Sequence, residues 1–275
     1  MSQGKEIRLG RLFNPESKRM VLITLDHAVC INPMKELSDT VAITRYAVEG
    51  GANAILVNPG IAKIVYKEIV GSDTSLMLRI DGGGSSIGPD LVDWSVYCPV
   101  ESALKLGADA VATLGSIGVE KEAKLAFKIG QTADICEQWG MPMLTEMLPK
   151  DILQHQFSNK AERKWPSTPE LLAYLARAAA ELGSDIVKGY YTGNPKTFRE
   201  VIEYCPVPYV VLSGPASGDT EVFFKFVKDA IDCGARGVSV GRNVWTHKKP
   251  VAIVKALCRI VHENATVEQV LKEIR

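Results

Sequence analysis

The sequence predicts one (β/α)8 barrel, and three observations carry that expectation. The chain has 275 residues, close to the roughly 250 typical of such a barrel. Eight short apolar runs recur along it, separated by longer amphipathic stretches. Four of the junctions share one punctuation: a glycine, a small residue, then a strand. A doubly wound open sheet also alternates strands and helices, but eight units at this length favour closure.

The eight candidate strands are VLITLD (21–26), AILVN (54–58), LMLRI (76–80), AVAT (110–113), MLTEM (143–147), DIVK (185–188), YVVL (209–212) and GVSV (237–240). They read as nearly continuous apolar runs, as strands covered on both faces do. The repeated junctions are Gly51-Ala52-Asn53, Gly107-Ala108-Asp109, Gly183-Ser184-Asp185 and Gly234-Ala235-Arg236. Glycine suits the left-handed residue that ends a helix, and a helical crossover makes successive strands parallel. Proline marks two other turns, Gly140-Met141-Pro142 and Cys205-Pro206-Val207-Pro208. Ser38 and Thr168-Pro169-Glu170 read as helix starts. The long connections 81–98 and 148–167 follow strands, on the face where barrels carry their chemistry. Residues 264–274 read as an extra terminal helix, and the whole chain, 1–275, as one domain.

Composition narrows the function. Acidic and basic residues balance at 32 each, so bulk charge points to neither a nucleic acid nor a membrane. A small anionic substrate needs only local charge. The six cysteines form no C-x-x-C pair, and His155, His247 and His262 lack paired-ligand spacing, so neither a metal nor another cofactor is expected. The start, MSQGKEIRLGRLF, has no apolar signal region and no run is long enough to span a bilayer. A cytoplasmic protein with reduced thiols is the expectation.

In a barrel, the residues at the strand C-termini share one pocket. Here they are Asp26 and His27, Asn58, Asp81, Thr113, Glu146, Lys188, Ser213 and Gly214, and Gly241 and Arg242. Lys188 ends an apolar run, so its ammonium must find a partner or lose its charge. A neutral lysine amine is the nucleophile that forms Schiff bases with carbonyls. A lysine ion-paired to Asp26 or Asp81 for structure is the alternative. Asp26-His27 offers a proton shuttle with an orienting acid, or a structural histidine with a fixed tautomer. Ser213, Gly214, Gly241 and Arg242 lie after the seventh and eighth strands, where barrels often bind phosphate. Arg242 pairing with a neighbouring carboxylate is the other reading. The glycine-rich 82–86 lacks a nucleotide-loop pattern and reads as a lid or a secondary anion contact. Tyr190 and Tyr191 read as packing residues.

Several segments together resemble the DeoC/FbaB class I aldolase family: Arg11-Leu12-Phe13-Asn14-Pro15, Leu25-Asp26-His27, Ile186-Val187-Lys188-Gly189-Tyr190-Tyr191, Cys205-Pro206-Val207-Pro208 and Gly241-Arg242-Asn243-Val244-Trp245. The resemblance runs in order from about residue 8 to 265. It covers archaeal-type fructose-bisphosphate aldolase, aminodideoxyheptulosonate synthase and the thiolase of the autoinducer-2 phosphate branch. It implies Lys188 as the Schiff-base lysine, Asp26 as the first-strand carboxylate, His27 as its neighbour, and Ser213, Gly214, Gly241 and Arg242 as the phosphate grip. It also implies a homo-oligomer, with decamers among the family's forms. One departure is evident: where the aldolase branch has a tyrosine acid/base after the fifth strand, this chain has Leu148, and leucine moves no proton.

The expected function is therefore a class I lyase or related transferase acting on a phosphorylated keto sugar or keto compound. Lys188 would form the iminium, Asp26 would orient Lys188 and help dehydration, and His27 would shuttle protons, with Glu146 as the alternative. The competing readings are a thiolase-like acyl transferase, a phosphosugar isomerase or epimerase that needs no imine, and a barrel that binds ligand without chemistry.

Overall fold

The computed structural model describes residues 2–30, 34–85, 93–150, 168–213 and 218–274. Eight parallel strands close on themselves: β1 (Met20–Thr24), β2 (Ala54–Val57), β3 (Ser75–Arg79), β4 (Ala110–Gly115), β5 (Met143–Met147), β6 (Ile186–Gly189), β7 (Tyr209–Leu212) and β8 (Gly237–Val240). Neighbours in sequence are neighbours in the barrel, and β8 closes it by pairing with β1 from Met20↔Gly237 to Ile23↔Val240. Each of the eight apolar runs became a strand. The glycines at the four repeated junctions all take positive φ, from 81° at Gly107 to 109° at Gly234, where a β-carbon is costly.

Helix starts follow capping chemistry. Thr168 caps Pro169–Glu181, its hydroxyl accepting the Leu171 N–H. The expected cap at Ser38 is displaced by one residue: Asp39 accepts the Ala42 N–H and opens Thr40–Gly50. A carboxylate is the stronger acceptor at that dipole end. The terminal helix spans Val267–Ile274.

Alternation along the strands sorts side chains into two apolar layers. Outward residues such as Val21, Ile55, Leu78, Val187 and Val238 pack under the helices. Inward residues Met20, Leu22, Leu56, Met77, Leu144, Ile186 and Val210 fill the barrel. Leu12, from the first helix (Gln3–Leu12), joins the inner cluster and is fully buried. The polar N-terminal segment thus seals the N-terminal mouth of the barrel through Leu12. Lys5 ties the same helix down, reaching Glu137 at 2.8 Å and Asp185 at 2.9 Å. Among the described residues, no helix is long and apolar enough to cross a membrane, and all six cysteines are free thiols.

Candidate active site

The inward parity that fills the barrel also builds the site. Two residues beyond inward Met77 comes Arg79, beyond Leu144 comes Glu146, and beyond Ile186 comes Lys188. At the C-terminal end of the barrel these three side chains meet, together with Asp26 just past β1. Register sets the closest pair, since Glu146 lies directly across from Lys188 on adjacent parallel strands.

Lys188 is 3% exposed, and its Nζ donates to Glu146 Oε2 over 3.0 Å. Arg79, equally buried, donates through Nη2 to the same oxygen and through Nε to Asp26 Oδ2 over 2.9 Å. The partner of Lys188 is therefore neither Asp26 nor Asp81 but Glu146, and one arginine holds both acids. Burial by itself would raise the Asp26 pKa; the charge of Arg79, then that of Lys188, outweighs it and holds the carboxyl at about 2. Glu146 follows the same logic, with burial overcome by Lys188 and Arg79, and it too is lowered. Both acids are thus carboxylates at neutral pH.

His27 sits at the rim beside this cluster. Its Nδ1 is 3.9 Å from Asp26 Oδ1, too far for a hydrogen bond, and finds no partner among the described residues. The ring meets Trp245 edge-to-face, with centroids 5.7 Å apart, and Trp245 is itself anchored by an Nε1 hydrogen bond to the Thr24 carbonyl at 3.2 Å. Burial lowers the His27 pKa against the opposing pull of Asp26, leaving a neutral imidazole at pH 7. Gly241 makes room for it: a β-carbon there would lie 2.7 Å from His27 Cε1 and 2.9 Å from Thr24 Oγ1.

Asn58 and Tyr97 complete the wall. Asn58 Nδ2 donates to the Asp26 carbonyl over 3.1 Å, and the Tyr97 hydroxyl donates to Asn58 Oδ1 over 2.7 Å. Asp81 lies behind Arg79. It is fully buried and takes the Leu114 N–H at 2.8 Å and the ammonium of Lys128. Burial lowers the affinity of Lys128 for its proton, and Asp81 opposes that.

Some expectations need correction. Thr113 points away from the pocket, its hydroxyl 3.2 Å from that of Thr145, which meets Ser184 at 2.5 Å; its parity is that of the outer layer. Gly214 falls outside the described residues, as do 86–92 and 151–167 of the two long loops. Ser213 does follow β7, where its N–H donates to the Ser239 carbonyl over 3.0 Å, and the Asn243 amide reaches the Ser213 carbonyl at 3.4 Å. Gly241 and Arg242 open the short helix after β8. Leu148 is buried, 5% exposed, in the larger apolar cluster. Tyr190 and Tyr191 are packing residues as expected, Tyr191 meeting Phe198 and Phe226 edge-on.

Arg79 and Lys128 escaped sequence reasoning, although both left a signal. Arg79 shares the parity of Met77 inside an apolar strand. Lys128 falls on the face of Leu125, Ile129, Thr132 and Cys136, all buried. A charge on a buried face must be paired.

A closed barrel whose sixth strand carries a buried lysine, hydrogen-bonded to a carboxylate on the fifth, defines an enzyme of the class I, Schiff-base aldolase type. Comparison with known proteins agrees. The family model for "DeoC/LacD family aldolase" matches residues 20–247. A 2-amino-3,7-dideoxy-D-threo-hept-6-ulosonate synthase of Archaeoglobus fulgidus is 34% identical over 98% of this chain and 95% of its own. A 2-amino-4,5-dihydroxy-6-oxo-7-(phosphonooxy)heptanoate synthase of Streptomyces griseus is 28% identical over 95% of this chain and 92% of its own. An archaeal fructose-1,6-bisphosphate aldolase, solved with its catalytic lysine bound to the carbinolamine intermediate, superposes with a TM-score of 0.81 at 28% identity, covering 94% of this chain and 99% of that one. The chain belongs to the DeoC/LacD family of aldolases.

Proposed function

We propose that this protein makes or breaks a carbon–carbon bond next to the carbonyl of a small phosphorylated keto compound, through an iminium on Lys188. The observation that carries the proposal is the 3.0 Å hydrogen bond between buried Lys188 and Glu146. Glu146 takes a proton from the ammonium as the keto compound arrives, and the free amine attacks the carbonyl carbon. The carbinolamine that forms loses its hydroxyl as water, with a proton supplied by Glu146. The iminium then accepts the electron pair of the adjacent C–C bond, which breaks to an enamine. Reprotonation and hydrolysis return the amine.

Geometry divides the proton work. Glu146 touches the reacting nitrogen, so it serves the steps at nitrogen; neutral His27 stands at the rim and serves the substrate's oxygen or carbon. Asp26, fixed by Arg79, orients the polar end of the substrate. Ser213, Gly241 and Arg242, with Gly214 between the first two in sequence, form the phosphate grip, whose binding energy holds the carbonyl within attack range. A phosphorylated carbonyl compound is supported by the names of the relatives, which include a phosphonooxy-oxo-heptanoate synthase and a bisphosphate aldolase.

Leu148 favours a substrate other than the one the archaeal aldolase cleaves, because the resemblance puts that branch's tyrosine acid at this position. The test is borohydride trapping, by mass spectrometry of the tryptic peptide, with dihydroxyacetone phosphate, fructose 1,6-bisphosphate and a panel of phosphorylated ketones. A reduced adduct on Lys188 with at least one of them, absent in Lys188→Met, is the expected result. No adduct from any of them would remove the proposal.

A further inference from the structure

The charged groups of the site continue inward past Arg79. Lys128, on the helix Glu122–Trp139, is 8% exposed and points at the barrel. Its ammonium donates to Asp81 and to the Leu114 carbonyl, the latter over 2.8 Å, and lies 5.7 Å over the ring of buried Trp94. The other oxygen of Asp81, Oδ1, faces Arg79 Nη1 across 3.9 Å, and neither atom has a hydrogen-bond partner among the described residues. Arg79 spends its remaining donors on Asp26 and Glu146, and Glu146 reaches Lys188.

The result is a buried row of alternating sign: Lys128, Asp81, Arg79, Glu146, Lys188. Arg79 is its branch point, with Asp26 on the side arm. Nη1 and Asp81 stand one ångström short of a hydrogen bond, so Arg79 has a competing partner within reach. What restrains that competition is Lys128, which already satisfies Asp81.

We propose that Lys128 is a positioning residue for the Schiff-base lysine: by holding Asp81 it keeps Arg79 on Asp26 and Glu146, and so sets how firmly Glu146 grips the Lys188 nitrogen. This rests on the reading of Lys188 as the reacting amine. Removing the charge of Lys128 leaves Asp81 uncompensated and draws Arg79 toward it. Glu146 is then left to Lys188 alone, in a site with one more net negative charge. Both changes keep Lys188 as an ammonium. Removing the charge of Asp81 does the reverse. The other titratable groups around the row are His27 beside Asp26, Arg242 beside His27, Tyr97 and Cys30 beside Arg79, and Lys124 beside Lys128; all stay in place in the variants below.

The experiment is competitive labelling of the full-length protein with trace acetic anhydride from pH 6 to 11, reading Lys188 acetylation by peptide mass spectrometry. The pH midpoint reports the free amine without any substrate. Lys128→Met moves that midpoint upward by roughly one pH unit, the size expected for one charge removed at protein-interior dielectric. Asp81→Asn moves it down, and the double variant D81N/K128M returns it close to the parent value. A purely structural role lowers yield or melting temperature and leaves the midpoint alone. Equal midpoints in all variants, or shifts of one sign in both single variants, overturn the proposal. If Lys128→Met does not fold, Asp81→Asn and the double variant still decide. Ketone trapping runs separately: loss of every adduct with the midpoints moving as stated sinks the lyase reading and spares the row.

Discussion

Lys188 and Arg79 converge on a single carboxylate oxygen, Oε2 of Glu146. One atom thus carries both the structural tie that holds β3 to β5 and the hydrogen bond to the buried lysine of β6. Whatever loosens the first alters the second, because a carboxylate relieved of its arginine becomes more basic.

Arg79→Met should therefore be among the most damaging substitutions in the chain. It strands the buried Asp26 carboxylate and leaves Glu146 with Lys188 alone, a change that costs roughly 3–5 kcal/mol at neutral pH, measurable by urea denaturation. Within that, Asp26, at about 2 in the folded protein against an ordinary 3.8, accounts for about 2 kcal/mol. That contribution is fully present above pH 3.8 and is lost as pH falls through 2, because the unfolded chain takes up the proton first. The parent protein should lose stability across that window, and Arg79→Met should not show that loss.

His27 should be neutral at pH 7. Its pKa is depressed by burial, so between that pKa and 6.5 the unfolded chain binds the proton and the folded one does not. Stability rises with pH through this interval, and the His27 share of it vanishes in His27→Gln. Long-range nitrogen–proton NMR of the ring checks the same point; an imidazolium at pH 7 would contradict it.

Gly241→Ala tests the fit of the histidine. A β-carbon there meets the His27 ring at 2.7 Å and the Thr24 hydroxyl at 2.9 Å. A displacement of that size is expected to lower kcat/KM by about 10- to 100-fold, with a melting temperature shift of only a few degrees. An unchanged kcat/KM would remove His27 from the chemistry.

Leu12→Ala probes the far end of the barrel. A fully buried leucine in the inner cluster should cost about 2–5 kcal/mol, while the borohydride-trapped fraction at Lys188 stays at the parental level under native conditions.

The barrel was legible in the chain because its signals are local. Strand length, apolar runs and glycines after helices are each set within a few residues, and they placed all eight strands. Lys188, Asp26, His27 and Glu146 were legible for the same reason, as polar residues closing apolar runs at the end of the barrel where loops gather. Alternation could also have exposed Arg79 and dismissed Thr113, since parity alone separates them.

Partnership was not legible. Nothing within a few residues of Lys188 says that its acid is Glu146, which lies 42 positions away and is brought opposite by the register of β5 against β6. Nor does the sequence say that one arginine serves two acids, or that a lysine on an outer helix reaches in to a third. Local backbone preferences decide which segments become strands. Which charges share an oxygen depends on side chains that meet only after closure, where the low dielectric of the interior makes each pairing strong and each unpaired charge costly.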